Sequence, residues 1–266
     1  MVTSKAPQRL LAIGDIHGYL DSLRQLLDRV QPTTEDQVVF LGDDVYRGPD
    51  SRGFLDELIR FGRLFPQTVF LRGNHEQMFL DALAWREIEQ LQRHHDLPTR
   101  AWLTTYEELK ERADHFGLSP LDLDRIWRRE GGLETIVSFG GALENVQSEH
   151  RAFLNATRFF YEGHVPSENG TSPERKGFLF VHAGADVDQL PQQQNPLTLM
   201  NYRGFAEPGP TSPWTVVHGH TIRLEGPEMM PQRINLDTGI YLEGGRLTCC
   251  DVLTRQFWQV SRGSGP

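Results

Sequence analysis

Seven side chains able to hold a cation or move a proton follow short apolar runs along the 266 residues of the chain. Residues 10–13 lead into Gly14-Asp15-Ile16-His17, residues 38–41 into Gly42-Asp43, and residues 69–71 into Arg72-Gly73-Asn74-His75. Later, residues 178–181 lead into His182, and 215–217 into His218-Gly219-His220. Carboxylates, an amide oxygen and neutral imidazoles brought together make a ligand set for borderline divalent metals such as manganese, iron or zinc. No thiolate belongs to the set, which excludes a structural zinc site of the cysteine type. Taken singly, a Gly-Asp is an ordinary turn and a histidine after an apolar run is usually a hydrogen-bonded core residue. Five such endings in order are much harder to explain as turns.

To gather these residues, strands must end along one edge, as they do in open α/β sheets, where carboxyl ends converge on a crevice. Leu20, Leu23, Leu26, Leu27 and Val30 recur at helical spacing after the first run, and Phe54, Leu55, Leu58 and Ile59 after the second. Strand, polar turn and helix thus repeat three times, the pattern of a βαβ sheet. From 85 to 176 the chain turns rich in Glu, Arg and Leu, with Thr104-Thr105 and Ser119-Pro120 as helix starts. This stretch reads as a mainly helical insertion within a single domain spanning 1–266. The tail runs 234–236, 240–242 and 247–253 predict antiparallel strands of a second sheet.

A net charge of -9 argues against a nucleic-acid backbone binder. It leaves anionic substrates open, because bound cations invert the local field. No apolar run reaches the roughly 20 residues of a membrane span, and no secretory signal opens the chain, so a cytoplasmic protein without membrane partners is expected. The two cysteines, Cys249 and Cys250, are adjacent and predict core packing rather than a disulfide.

The ordered motifs Gly14-Asp15-Ile16-His17-Gly18, Gly42-Asp43 through Arg47-Gly48-Pro49-Asp50-Ser51, Gly73-Asn74-His75-Glu76, Val181-His182-Ala183-Gly184 and Gly219-His220-Thr221 resemble those of the calcineurin-like metallophosphoesterases. More narrowly, they resemble the phosphoprotein phosphatase branch, which includes bacterial Ser/Thr phosphatases and diadenosine tetraphosphate hydrolases. Softer echoes lie at Trp127 with Gly131-Gly132 through Gly140, and at Asp237-Thr238-Gly239. The resemblance implies an α/β-β/α sandwich of two mixed sheets flanked by helices. It also implies two divalent ions, manganese first, with iron or zinc as alternatives. Asp15, His17 and Asp43 would hold one ion, and Asp43, Asn74, His182 and His220 the other. Such a pair shares a water, lowers its pKa and clamps phosphate oxygens for in-line attack. Arg47 would fork onto the phosphate, His75 would protonate the leaving group, and Arg203 would be a second phosphate-binding arginine. His218 is expected beside the ions rather than on them.

One position departs from the family pattern. Where relatives read Gly-Asp-x-Val-Asp-Arg-Gly, this chain has Tyr46 in place of the second aspartate, which normally hydrogen-bonds the general-acid histidine. A phenol carries no charge near neutral pH, so His75 is expected to be less basic than in relatives unless Asp44 folds back. Glu76, as in the protein phosphatases, favours phosphoserine or phosphothreonine in protein as substrate. The alternatives are a symmetrical diadenosine tetraphosphate hydrolase, which often also lacks the aspartate, and a phosphate-binding homologue with weakened catalysis. The hydrolase would need adenosine platforms, with Trp85, Trp102, Trp127 or Trp214 as candidates.

Overall fold

The computed structural model of the chain describes residues 7–93, 100–164, 177–204, 208 and 212–262. His94-His95, the Trp102 side chain, the loop at 168–173 and part of the 202–214 loop lie outside the described residues. Two five-stranded mixed sheets form the framework. The first has the order β10-β9-β1-β2-β3, built from β1 (Leu10–Ile13), β2 (Gln37–Phe40), β3 (Val69–Phe70), β9 (Arg246–Asp251) and β10 (Gln256–Ser261). The second has the order β4-β5-β6-β8-β7, from β4 (Phe160–His164), β5 (Gly177–Val181), β6 (Trp214–His218), β7 (Glu228–Met229) and β8 (Arg233–Asn235). Strands β1, β2 and β3 run parallel, as do β5, β6 and β8. Their carboxyl ends therefore fall together, as the crevice requires.

Period-two alternation sorts the strand residues onto two faces. Leu10, Ala12 and Val39 join Phe180, Val217 and Ile234 in the core between the sheets. Leu11, Ile13, Val38 and Phe40 face the other way, onto Leu23 and Leu26 of α1 (Leu20–Val30) and Phe54 and Leu58 of α2 (Ser51–Leu64). Burial on both faces explains why these strands read as continuous apolar runs. On the outer side of the second sheet, Leu179, Val181 and Val216 pack with Leu199 of α8 (Pro196–Asn201).

The helical stretch begins at the site itself. Helix α3 (Asn74–Arg93) starts on two of the candidate residues and is followed by α4 (Arg100–His115), α5 (Pro120–Trp127), a π-turn at Arg128–Gly132, α6 (Leu133–Ser138) and α7 (Ser148–Ala156). Ser119 opens α5 with a capping box, its hydroxyl accepting from Asp122 N while the Asp122 carboxylate accepts from Ser119 N. Thr104-Thr105 lie inside α4 rather than at its start. Strand β4 falls within 85–176, at the edge of the second sheet, so the helices end before that span does.

The tail corrects another expectation. Strand β9 pairs antiparallel with β1, with Ala12 opposite Cys250, so the last strands extend the first sheet rather than build the second. Residues 240–242 form a turn, not a strand. Local patterning marks a strand but carries no information on its partner. Cys249 and Cys250 are both fully buried on opposite faces of β9, and burial pushes the Cys250 thiol up to about 12.

Candidate metal centre

The turns after β1, β2, β3, β5 and β6 bring the expected residues into one buried cluster. Asp43 lies at its middle, its Oδ2 3.4 Å from His182 Nε2 and 3.7 Å from His75 Nε2. His182 Nε2 is also 3.2 Å from Asn74 Oδ1 and 3.2 Å from His220 Nδ1. Potential ligand atoms of His17, Asp43 and His75 lie within 4.8 Å of one another, and so do those of Asp43, His182 and His220. Asp43 is common to both groups. Asp15 stands slightly apart, both carboxylate oxygens accepting from His220 N at 3.2 and 3.0 Å.

Backbone strain is concentrated here. His17, Asp43, Tyr46, Arg47 and His220 hold φ of 52°, 53°, 75°, 62° and 63°, conformations that non-glycine residues seldom adopt and that surrounding structure must enforce. Glycine is needed where the turns touch: at Gly42, φ is 90° and a Cβ would stand 2.5 Å from Gly73 N.

Glu76 holds these turns in place. Its Oε2 accepts from Gly73 N and Asp43 N at 2.8 and 2.9 Å, and its Oε1 from Asp44 N and Val45 N at 2.9 and 3.2 Å. Burial and the Asp43 charge push its pKa up. Four N–H donors nevertheless favour the ionised carboxylate. Glu76 is thus aimed at backbone, and its identity cannot read a substrate's leaving group.

The electrostatics suit cations. Burial opposes a charge on His182, yet the carboxylates of Asp43 and Asp15 push its pKa up to about 10. Burial opposes the Asp43 anion as well, but the neighbouring imidazoles hold that carboxyl well below the ordinary range. Burial drives His17 and His220 down to about 3, leaving both rings neutral and ready to coordinate. Buried His17 Nδ1 and His220 Nε2 have no hydrogen-bond partner among the described residues, whereas His182 Nδ1 sits 2.9 Å from Leu41 O, which leaves its Nε2 turned to the cluster. A cluster that recruits a proton onto His182 to balance its carboxylates is short of positive charge. The donor set fits divalent metal ions.

Around this centre the other expected residues are distributed unevenly. Arg47 is partly exposed, its Cζ 4.2 Å above the Tyr241 ring, and its Nη2 donates to Glu130 at 2.9 Å. Arg203 is exposed after α8, and its charge contributes, after burial and His182, to the low pKa of His220. His218 is buried, with Nδ1 3.0 Å from Gly219 O, and burial lowers its pKa to about 4. His75 lies 4.9 Å, ring to ring, from Tyr46, but the Tyr46 hydroxyl is engaged by Trp127 Nε1. His75 Nδ1 and both Asp44 carboxylate oxygens have no hydrogen-bond partner among the described residues, so Asp44 does not bond His75 in place of the missing aspartate. Trp127 is fully buried and stacked on Phe79, which removes it as an adenosine platform.

Three more residues reach the centre, of which the sequence singled out only Asp237, and that without a role. Tyr241 meets the His17 ring edge-on at 4.8 Å, Asp237 lies close enough to raise the pKa of Asp15 after burial, and Glu130 reaches Arg47 from the helical stretch. The Asp237-Thr238-Gly239 and Gly131-Gly132 echoes were the signals nearest to them.

A family model for calcineurin-like phosphoesterases matches residues 8–235. The symmetrical bis(5'-nucleosyl)-tetraphosphatase of Erwinia tasmaniensis is 30% identical over 288 residues, covering 94% of this chain and 96% of that protein. Its namesake from Serratia proteamaculans is 28% identical, covering 92% of each. Among solved structures, a candidate diadenosine tetraphosphatase superposes with a TM-score of 0.59 at 20% identity, covering 97% of both chains. A protein serine/threonine phosphatase from Saccharomyces cerevisiae gives 0.55 at 12% identity, covering 99% of this chain and 83% of its own. At those identities the two structures speak for the sandwich fold alone. No helix among the described residues is long and apolar enough to cross a membrane. The match over residues 8–235 and the relatives along nearly the whole chain make this protein a member of the calcineurin-like phosphoesterase family.

Proposed function

We propose that the chain is a two-metal hydrolase of dinucleotide polyphosphates, cleaving a symmetrical bis-nucleosyl tetraphosphate into two nucleoside diphosphates. The observation carrying this reading is the end-to-end likeness to symmetrical tetraphosphatases, 30% identical over 94% of this chain. It replaces phosphoprotein as the favoured substrate. The one residue that argued for protein phosphatase, Glu76, spends its carboxylate on four backbone N–H groups.

The state of His75 supports the same substrate class. A serine or threonine alkoxide is nearly as basic as hydroxide (bulk water has a pKa of about 15.7) and leaves only with a proton. A departing phosphate oxygen has a pKa of about 6 and needs far less help. Burial lowers the pKa of His75, and no carboxylate among the described residues bonds its Nδ1. Such an imidazole is matched to a polyphosphate leaving group.

In this reading His17, Asp43 and Asp15 would hold one ion and Asp43, Asn74, His182 and His220 the other. When bound, the pair would polarise phosphate oxygens and activate a water. Manganese is the first candidate, with iron or zinc as alternatives. Arg47 grips an equatorial phosphate oxygen with its guanidinium, held over the site by Tyr241. His75 Nε2 hands a proton to the bridging oxygen as it leaves. Arg203, at the rim, meets the outer phosphates. The test is to incubate manganese-loaded protein separately with diadenosine tetraphosphate and with a phosphoserine peptide. Two ADP per dinucleotide and little release from the peptide are expected. Peptide dephosphorylation without dinucleotide cleavage would return the protein-phosphatase reading.

A further inference from the structure

Arg47 already has a partner. Its Nη2 donates to Glu130 Oε2 at 2.9 Å, and Glu130 belongs to the π-turn at Arg128–Gly132. The turn is pressed onto the phosphate-binding loop rather than merely near it. Gly131 has φ 117°, and a Cβ there would stand 2.8 Å from Arg47 N and 3.2 Å from Tyr46 Cβ. Trp127 Nε1, immediately before the turn, donates to the Tyr46 hydroxyl and fixes the two segments together. The Glu130 carboxylate is thus delivered by backbone contact and aromatic packing.

We propose that Glu130 is an intramolecular competitor for the substrate phosphate, occupying Arg47 Nη2 until the anion displaces it. The inference rests on the reading of Arg47 as a phosphate ligand. Both planar edges with which a guanidinium grips an oxyanion bidentately include Nη2, paired with Nη1 or with Nε. A carboxylate on Nη2 therefore contests either grip and repels the arriving phosphate. The pair is solvent-exposed enough to yield, with side-chain exposures of 30% for Arg47 and 47% for Glu130. Glu130 touches Arg47 rather than the reacting atoms, so it sets how tightly phosphate binds and leaves the chemical step alone.

The test uses Glu130→Gln in the manganese-loaded full chain, with inorganic phosphate titrated calorimetrically and KM and kcat measured for diadenosine tetraphosphate. For a pair of this exposure the expected result is phosphate binding tighter by about two- to five-fold. KM should fall by the same factor, and kcat should hold within about two-fold, the signature of a change in uniform binding. In an Arg47→Ala background, Glu130→Gln should change nothing. Unchanged or weaker phosphate binding in Glu130→Gln, while Arg47→Ala weakens it, overturns the inference and leaves Arg47 in its role. Equal tightening with and without Arg47 also overturns it, by reducing the effect to net charge. If Arg47→Ala leaves phosphate affinity untouched, the phosphate reading of Arg47 falls and this inference falls with it.

Discussion

Replacing Glu76 by glutamine should unfold the site without touching a metal ligand. The carboxylate accepts four backbone hydrogen bonds, two on each oxygen, at 2.8 to 3.2 Å. A glutamine keeps one acceptor oxygen and turns an NH2 toward the other two donors. Two charge-assisted bonds are lost, each worth about 1.5–3 kcal/mol net, so the change costs about 3 kcal/mol or more. For a chain of this size that lowers Tm by roughly 6–12 °C. The donors on Asp43, Asp44 and Val45 fix the turn that aims Asp43, so manganese affinity should fall together with stability. Denaturant unfolding of both proteins, with and without manganese, reads the two effects. A loss below about 1 kcal/mol with metal binding intact would mean that Glu76 is a protonated carboxyl, nearly isosteric with glutamine, and would refute the argument.

Two further outcomes follow from the same geometry. Tyr46→Asp places a carboxylate beside His75 and should raise the rate for an alkyl phosphate relative to an aryl phosphate. Loss of a fully buried phenol whose hydroxyl accepts from Trp127 Nε1 should also cost about 3–5 kcal/mol of stability. An alkyl rate that stays level or drops would contradict this account of the missing aspartate. His182 holds its proton up to about 10, against an ordinary 6.5. Because that pKa is raised, the stabilisation it brings to metal-free protein is complete below about 6.5 and is lost as pH rises through about 10. A cation must displace that proton, so manganese affinity should climb by up to about tenfold per pH unit across that window. Metal titrations at two pH values within it check this, and a flat response counts against His182 as a ligand.

Much of the site was legible because strand ends announce themselves. Each of Asp15, Asp43, Asn74, His182 and His220 follows a largely buried apolar run, and parallel strands carry such endings to one edge. What the sequence concealed was pairing and reach. Nothing local in Leu247 to Asp251 says that β9 adds to β1 rather than to β8. Glu130, Tyr241 and Asp237 enter the site from turns whose direction depends on tertiary contact, as at Gly131 against Arg47. Glu76 illustrates the opposite hazard: its position beside His75 suggested a role toward substrate, while its carboxylate serves the backbone of the neighbouring turn.

The proposed function requires the cluster around Asp43 to take up two cations. Metal analysis of protein loaded with manganese and dialysed, compared with Asp43→Asn, tests it most directly. Two ions per wild-type chain, and at most one weakly held ion in the variant, is the predicted result, since Asp43 belongs to both ligand groups. A wild-type chain that binds no manganese, iron or zinc, or an Asp43→Asn chain that still holds two ions, would contradict the account.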